Sequence, residues 1–118
     1  MTKLKRGMII LVNLDPTKGF EKGKIRPCII VTNNVYNLKV PVIQVIPITV
    51  WSEKKSKITT NITILPNSTN GLDKKSIADC LQTRPIDYKQ RLVKIIGKLK
   101  PQTIQKINKA IKIIFALN

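Results

Sequence analysis

Residues 18–28, KGFEKGKIRPC, place one carboxylate, Glu21, among four basic side chains, Lys18, Lys22, Lys24 and Arg26, with two glycines between them. The chain has no histidine, so chemistry at this segment must run without the usual acid–base residue. Metal-free cleavage of RNA is compatible with that set. RNA carries its own nucleophile, the 2′-hydroxyl. The protein then supplies an acceptor for the 2′ proton, a donor for the leaving 5′ oxygen, and positive charge on the crowded phosphorane. Glu21 suits the acceptor role. Arg26 offers a planar fork of donors matched to phosphate, and a Ser or Thr hydroxyl would complete the set. The lysines draw a phosphate backbone in, and Phe20 offers a face on which a base can stack. DNA lacks the 2′-hydroxyl and would be refused.

Other chemistries are excluded by what is missing. With no histidine and only Cys28 and Cys80, the chain has no zinc-ligand set and no Ser-His-Asp or Cys-His triad. It lacks a P-loop and a GxGxxG motif, and six scattered acids do not build a two-metal nuclease. No metal and no cofactor are expected. Cys28 and Cys80 lie inside apolar segments and read as small buried hydrophobes in a reducing compartment.

The charge points to a polyanionic partner. Lys and Arg number 22 against 6 Asp and Glu, a formal net charge of +16. Because the lysines are spread along the chain, the charge belongs to a folded body rather than a basic tail. At 118 residues the chain is expected to be one domain, 1–118. The apolar run Met8–Val12 is too short for a signal-peptide core, which needs about 7–15 residues. No stretch approaches transmembrane length. The expected setting is soluble and cytoplasmic, with no membrane partner.

The elements that would position these residues are mostly strands. MIILV (8–12) and CIIVT (28–32) are short β-branched runs bounded by turn residues. In VPVIQVIPITVW (40–51), Pro47 predicts a bulge or bend. KITTNITI (57–64) alternates as a half-exposed strand, Asn70-Gly71 marks a turn, and SIADCLQTR (76–84) reads as a further strand. A helical turn near 87–92 and a strand near 93–99 follow. In 101–118 the period changes: Ile104, Ile107, Ile111, Ile114 and Leu117 form one stripe of an amphipathic helix, with Pro101 at its first position. The fold class is therefore mainly β with helices (α+β), a small bent sheet or partly open barrel with the last helix packed on it.

Residues 6–34, RGMIILVNLDPTKGFEKGKIRPCIIVTNN, resemble the opening of MazF/PemK-type toxins of bacterial toxin–antitoxin systems, with their "DPT.G.E..G.RP" segment. SIADCLQTRPIDYKQRLVKIIGKL (76–99) is similar to the family's second signature. The resemblance implies a small SH3-like β-barrel with helices, acting as a homodimer. It also implies a sequence-specific, metal-independent endoribonuclease that cuts single-stranded RNA, chiefly mRNA, leaving a 2′,3′-cyclic or 3′-phosphate and a 5′-hydroxyl. A cognate acidic, MazE-like antitoxin would block the site. Carried over residue by residue, the catalytic arginine falls on Arg26, the catalytic threonine on Thr49 and the loop glutamate on Glu21. Gln82 and Arg84 match the second signature and are expected at the RNA, with Lys18, Phe20, Lys22 and Lys24. Phe20 departs from the family's common serine or threonine, and Pro85 from its threonine.

Two other functions remain compatible with the composition. One is a CcdB-like toxin on the same fold that poisons gyrase. The other is a non-catalytic nucleic-acid-binding SH3-like module, which charge alone would support.

Overall fold

The structure, a computed structural model, describes residues 3–118. Seven strands form one antiparallel sheet. β1 (Met8–Asn13) pairs with β2 (Ile25–Ile30), and β2 with β3 (Val42–Val50). β3 also takes β5 (Ser76–Asp79) and β6 (Arg84–Asp87); β4 (Asn61–Ile64) adds to β5, and β7 (Leu92–Lys98) adds to β1. Four helices complete it: α1 (Asn34–Lys39), α2 (Glu53–Ser56), α3 (Tyr88–Arg91) and α4 (Pro101–Ile114).

The mainly-β class with a terminal helix is as expected, but the sheet is not a closed barrel. Its order runs β4-β5-β3-β2-β1-β7, leaving β4 and β7 at the two ends. The Leu65–Leu72 segment lies beside β7 where a closing strand would be. Lys98 donates its N–H to the Thr69 carbonyl at 3.0 Å, and Gly71 lies against the Ile96 carbonyl. Asn70, buried, organises the segment: its Nδ2 donates to Leu65 O, and its Oδ1 accepts from the N–H groups of Asn67 and Leu72.

The apolar runs of β1–β3 are continuous because both faces of the sheet are covered. Ile9, Ile29, Ile46 and Ile48 face α4, whose Ile107 and Ala110 bury against them. Ile10, Cys28, Ile30, Ile43 and Val45 face the other way, onto Leu4, Leu14 and Ile86. The terminal stripe holds through Ile104, Ile107, Ile111 and Ile114, with Lys100 making no side-chain cap. Leu117 is a correction: it lies past the helix end, beyond Ala116 at φ 54°, and is exposed.

Three further expectations change. The 76–84 strand is two strands joined by a 3₁₀ turn at Cys80–Gln82. The 57–64 strand shortens to Asn61–Ile64, because Ser52 caps α2 and Asn61 Nδ2 ties back to the Lys55 carbonyl. The 28–32 strand starts earlier, at Ile25, so Arg26 sits within β2 rather than in the loop before it.

Gly71, at φ +70° and with no room for a Cβ against Ile96 O, should not tolerate a side chain. Gly71→Ala is expected to cost at least about 2 kcal/mol, or roughly 8 °C in Tm, measured by urea and thermal unfolding.

Candidate active site

Arg26 precedes Pro27, which holds its backbone extended within β2. Cys28 on β2 is level with Pro47 on β3, and the same register carried two residues further sets Arg26 beside Thr49. Arg26 Nη1 donates to Thr49 Oγ1 at 3.3 Å, and Arg26 Nε donates to the Gly23 carbonyl at 2.7 Å. The guanidinium is thus anchored at one edge while both N–H groups on Nη2 remain available to an anion. Thr49 accepts from the arginine, which leaves its own O–H free to donate elsewhere.

Arg26 and Thr49 open onto a cleft of about 240 Å³. Ser76, Asp73 and Lys74 line its far side. These three were not singled out from the sequence. They follow the Asn70-Gly71 turn, which the sequence marks, but only the pairing of β5 with β3 brings them opposite Thr49.

A second cleft, about 360 Å³, lies alongside and is lined by Glu21, Lys22, Gln82 and Arg84, with Pro47 at its base. Here the structure groups four of the other sequence candidates, leaving Lys18, Phe20 and Lys24 outside the lining, and it gives several of them work of their own. Gln82 spans the loop: its Oε1 accepts from the Lys22 N–H at 3.2 Å and its Nε2 donates to the Phe20 carbonyl at 3.1 Å. Arg84 Nη1 donates to the Leu14 carbonyl, and Lys22 Nζ lies 4.0 Å from Asp79 Oδ2. Glu21 Oε1 accepts from the Lys18 N–H at 2.7 Å, closing a tight turn around Phe20, which is fully exposed. Lys18 and Lys24 are exposed as well. Gly23, whose carbonyl grips Arg26, is pressed against the Asp15 carboxylate and Thr17 hydroxyl, so this loop re-enters the sheet over a site with no space for a side chain.

Cys28, two residues past Arg26, is not a nucleophile. Its side chain points into the core, fully buried, and desolvation pushes its thiol up to about 12. Burial does the same to Cys80, also to about 12.

The model of the PemK-like, MazF-like toxins of type II toxin–antitoxin systems matches residues 5–115. The chain belongs to that toxin family. It is 35% identical over 115 residues to "Endoribonuclease MazF" of Staphylococcus saprophyticus, covering 98% of this chain and 93% of that protein. It is 32% identical over 114 residues to "Endoribonuclease EndoA" of Bacillus subtilis, covering 97% and 96%. The crystal structure of MazF from Deinococcus radiodurans superposes with a TM-score of 0.84 over 99% of this chain and 100% of that one. At 17% identity, that likeness speaks for the fold.

Two outcomes are expected for this toxin. Gln82→Ala should release the loop, raising amide exchange across 18–24 about tenfold or more by hydrogen-exchange mass spectrometry, with β1–β3 unchanged. Both thiols stay protonated in the fold, whereas in the unfolded chain they ionise above their ordinary 9.0. Their contribution to stability is therefore flat below pH 9 and falls between pH 9 and 12, as the unfolded state sheds protons that the fold retains. Urea unfolding should show the wild type losing about 2 kcal/mol more between pH 8 and pH 10 than a Cys28→Ala/Cys80→Ala variant.

Proposed function

We propose that this chain is an endoribonuclease, the toxin half of a toxin–antitoxin pair, cutting single-stranded RNA by attack of the 2′-hydroxyl on the adjacent phosphate. The observation that carries the reading is the anchored Arg26 guanidinium with Thr49 hydrogen-bonded to it, at the mouth of a cleft in a chain of net charge +16. The full-length likeness to two proteins named endoribonucleases supports it.

In this scheme the Nη2 donors of Arg26 take a non-bridging phosphate oxygen, and their charge grows in value as the phosphorane forms. The Thr49 hydroxyl donates to the same phosphate. Glu21 accepts the 2′ proton. It stands two residues before Gly23, which touches Arg26, and only one of its carboxylate oxygens is engaged, by Lys18. Arg26 passes a proton to the leaving 5′ oxygen. The products are a 2′,3′-cyclic phosphate and a 5′-hydroxyl. Lys18, Lys22 and Lys24 attract the backbone, while Phe20, Gln82 and Arg84 line the path of the neighbouring bases. The toxin works as a homodimer in the cytoplasm, and an acidic, MazE-like antitoxin segment occupies the cationic clefts. Among the described residues no helix is long and apolar enough to cross a membrane.

End-mapping of cleaved transcripts in EDTA tests activity, ends and metal independence together. Cleavage with 5′-hydroxyl ends, undiminished by EDTA, is expected. Arg26→Ala and Thr49→Ala should each lower it by about 10³-fold or more with unfolding midpoints unchanged. Glu21→Gln separates two roles, since the amide oxygen still accepts from Lys18 N–H but takes no proton. It should lower kcat by about 10²-fold with KM retained. Full activity in Arg26→Ala would overturn the mechanism. Salt-dependent binding without cleavage would leave only a nucleic-acid-binding module, and trapping of gyrase without cleavage would favour a gyrase poison.

A further inference from the structure

We propose, resting on the endoribonuclease reading above, that Trp51 is a stacking platform for one nucleotide of the RNA. That nucleotide flanks the scissile phosphate on the side away from the Glu21–Gln82 cleft, and its base displaces Lys75 from the ring.

β3 supplies the geometry. Side chains two residues apart on a strand share one face and stand about 7 Å apart. Pro47, Thr49 and Trp51 therefore form one row. Pro47 lies at the base of the second cleft, and Thr49 lines the cleft at Arg26. Trp51 comes next in line. β3 ends at Val50, but its ladder with β5 runs one residue further. Trp51 donates its N–H to the Lys75 carbonyl at 3.1 Å, in step with the Thr49–Ile77 and Val50–Ser76 pairs. The segment 73–75 joins the two places, because Asp73 and Lys74 line the Arg26 cleft and Lys75 meets the ring.

The ring is placed but not enclosed. Trp51, the one tryptophan of the chain, is partly exposed. Lys75 Nζ lies 3.8 Å from the ring centroid. Lys75 is itself exposed, and its ammonium forms no ion pair with any described residue. An exposed cation–π contact of this kind orients an indole but is weaker than a base stacked on it. A base therefore takes the ammonium's place, and the released ammonium meets the phosphate of the same nucleotide. Lysines are spread over this whole chain and would not single out the place. An aromatic ring in register with the Arg26–Thr49 pair does.

Emission from Trp51, excited where tyrosine does not absorb, reports on this ring alone. The probe is a short random-sequence RNA with every 2′-hydroxyl methylated, which cannot be cut. With the full chain it should quench the emission saturably. The same strand in a blunt duplex, with its bases stacked away, and heparin, a polyanion without bases, should bind and not quench. Binding of the labelled probe, read by anisotropy, should weaken about tenfold in Trp51→Ala and less in Trp51→Phe, with circular dichroism unchanged. Lys75→Gln should keep the quenching and lower the salt slope of log affinity by about 0.7. In cleavage assays Trp51→Ala should raise KM about tenfold with kcat retained. Equal quenching by heparin or the duplex overturns the proposal, since the ring would then report only a phosphate drawing Lys75 away. So does undiminished affinity in Trp51→Ala, which would assign the Trp51–Lys75 pair to the fold alone. Cleavage of transcripts without quenching by the probe would overturn the platform and leave the endoribonuclease reading. Quenching without cleavage would keep the platform and overturn that reading.

Discussion

The structure turns on β3 exchanging partners midway. Its first half, Val42–Val45, pairs with β6, and its last three residues, Ile48–Val50, pair with β5 along the same edge. Pro47 sits between these halves. A proline has no N–H for the ladder, so the position where β3 changes partners is where the residue lacking a donor costs least. The other edge of β3 meanwhile holds β2 at Cys28–Ile30. Thr49 is thereby carried past the exchange point to meet Arg26, and Pro47 itself becomes the floor of the neighbouring cleft.

Charge plays little part in holding this frame together. Among the described residues there are two ion pairs, each at 4.0 Å, and the Lys57–Glu53 pair is largely exposed. Exposed pairs of that kind contribute about 0–1 kcal/mol. Stability rests instead on isoleucine layers on the two faces of β1–β3. The cations, largely unneutralised, generate a field whose self-repulsion the core must offset. Such a field acts on a polyanion more than on the fold.

Where the pattern was clear, the sequence was legible: Met8–Val12 and the terminal isoleucine stripe both stand in the structure, whereas β3 runs as one strand through Pro47 with no bulge against β2, and the proline marks a change of partner instead. Arg26 and Thr49 could be paired only through family resemblance, since their contact depends on a register between strands. The stretch 76–84 misled for a definite reason. Between Ala78 and Arg84 the chain runs six residues while β3 advances three, from Ile48 to Val45, and the surplus coils into the 3₁₀ turn. No glycine or proline marks that turn. α1 has six residues, too few to show a helical stripe, and its one signal was Asn33, whose side chain accepts from the Val35 N–H as an N-cap.

The loop KGFEKGKIRPC combines fixed and free parts in a definite order. Arg26 is held at Nε by Gly23 and at Nη1 by Thr49, so little side-chain freedom remains to be lost when it meets an anion. Gln82 clasps the loop from the 3₁₀ turn through the backbone of Phe20 and Lys22, but it leaves the Phe20 ring fully exposed. The loop's backbone is therefore tied at 20, 22, 23 and 24, the last through Asp15 Oδ1 and the Leu14 N–H, while its aromatic ring and the Lys18 and Lys24 side chains stay in solvent. A strand of nucleic acid lying across the first cleft and the loop would meet a prearranged guanidinium at one and exposed side chains at the other. In the proposed reading, the anchored guanidinium is the part that holds a phosphate in one geometry, and the exposed loop side chains are the part that accommodates bases of differing shape.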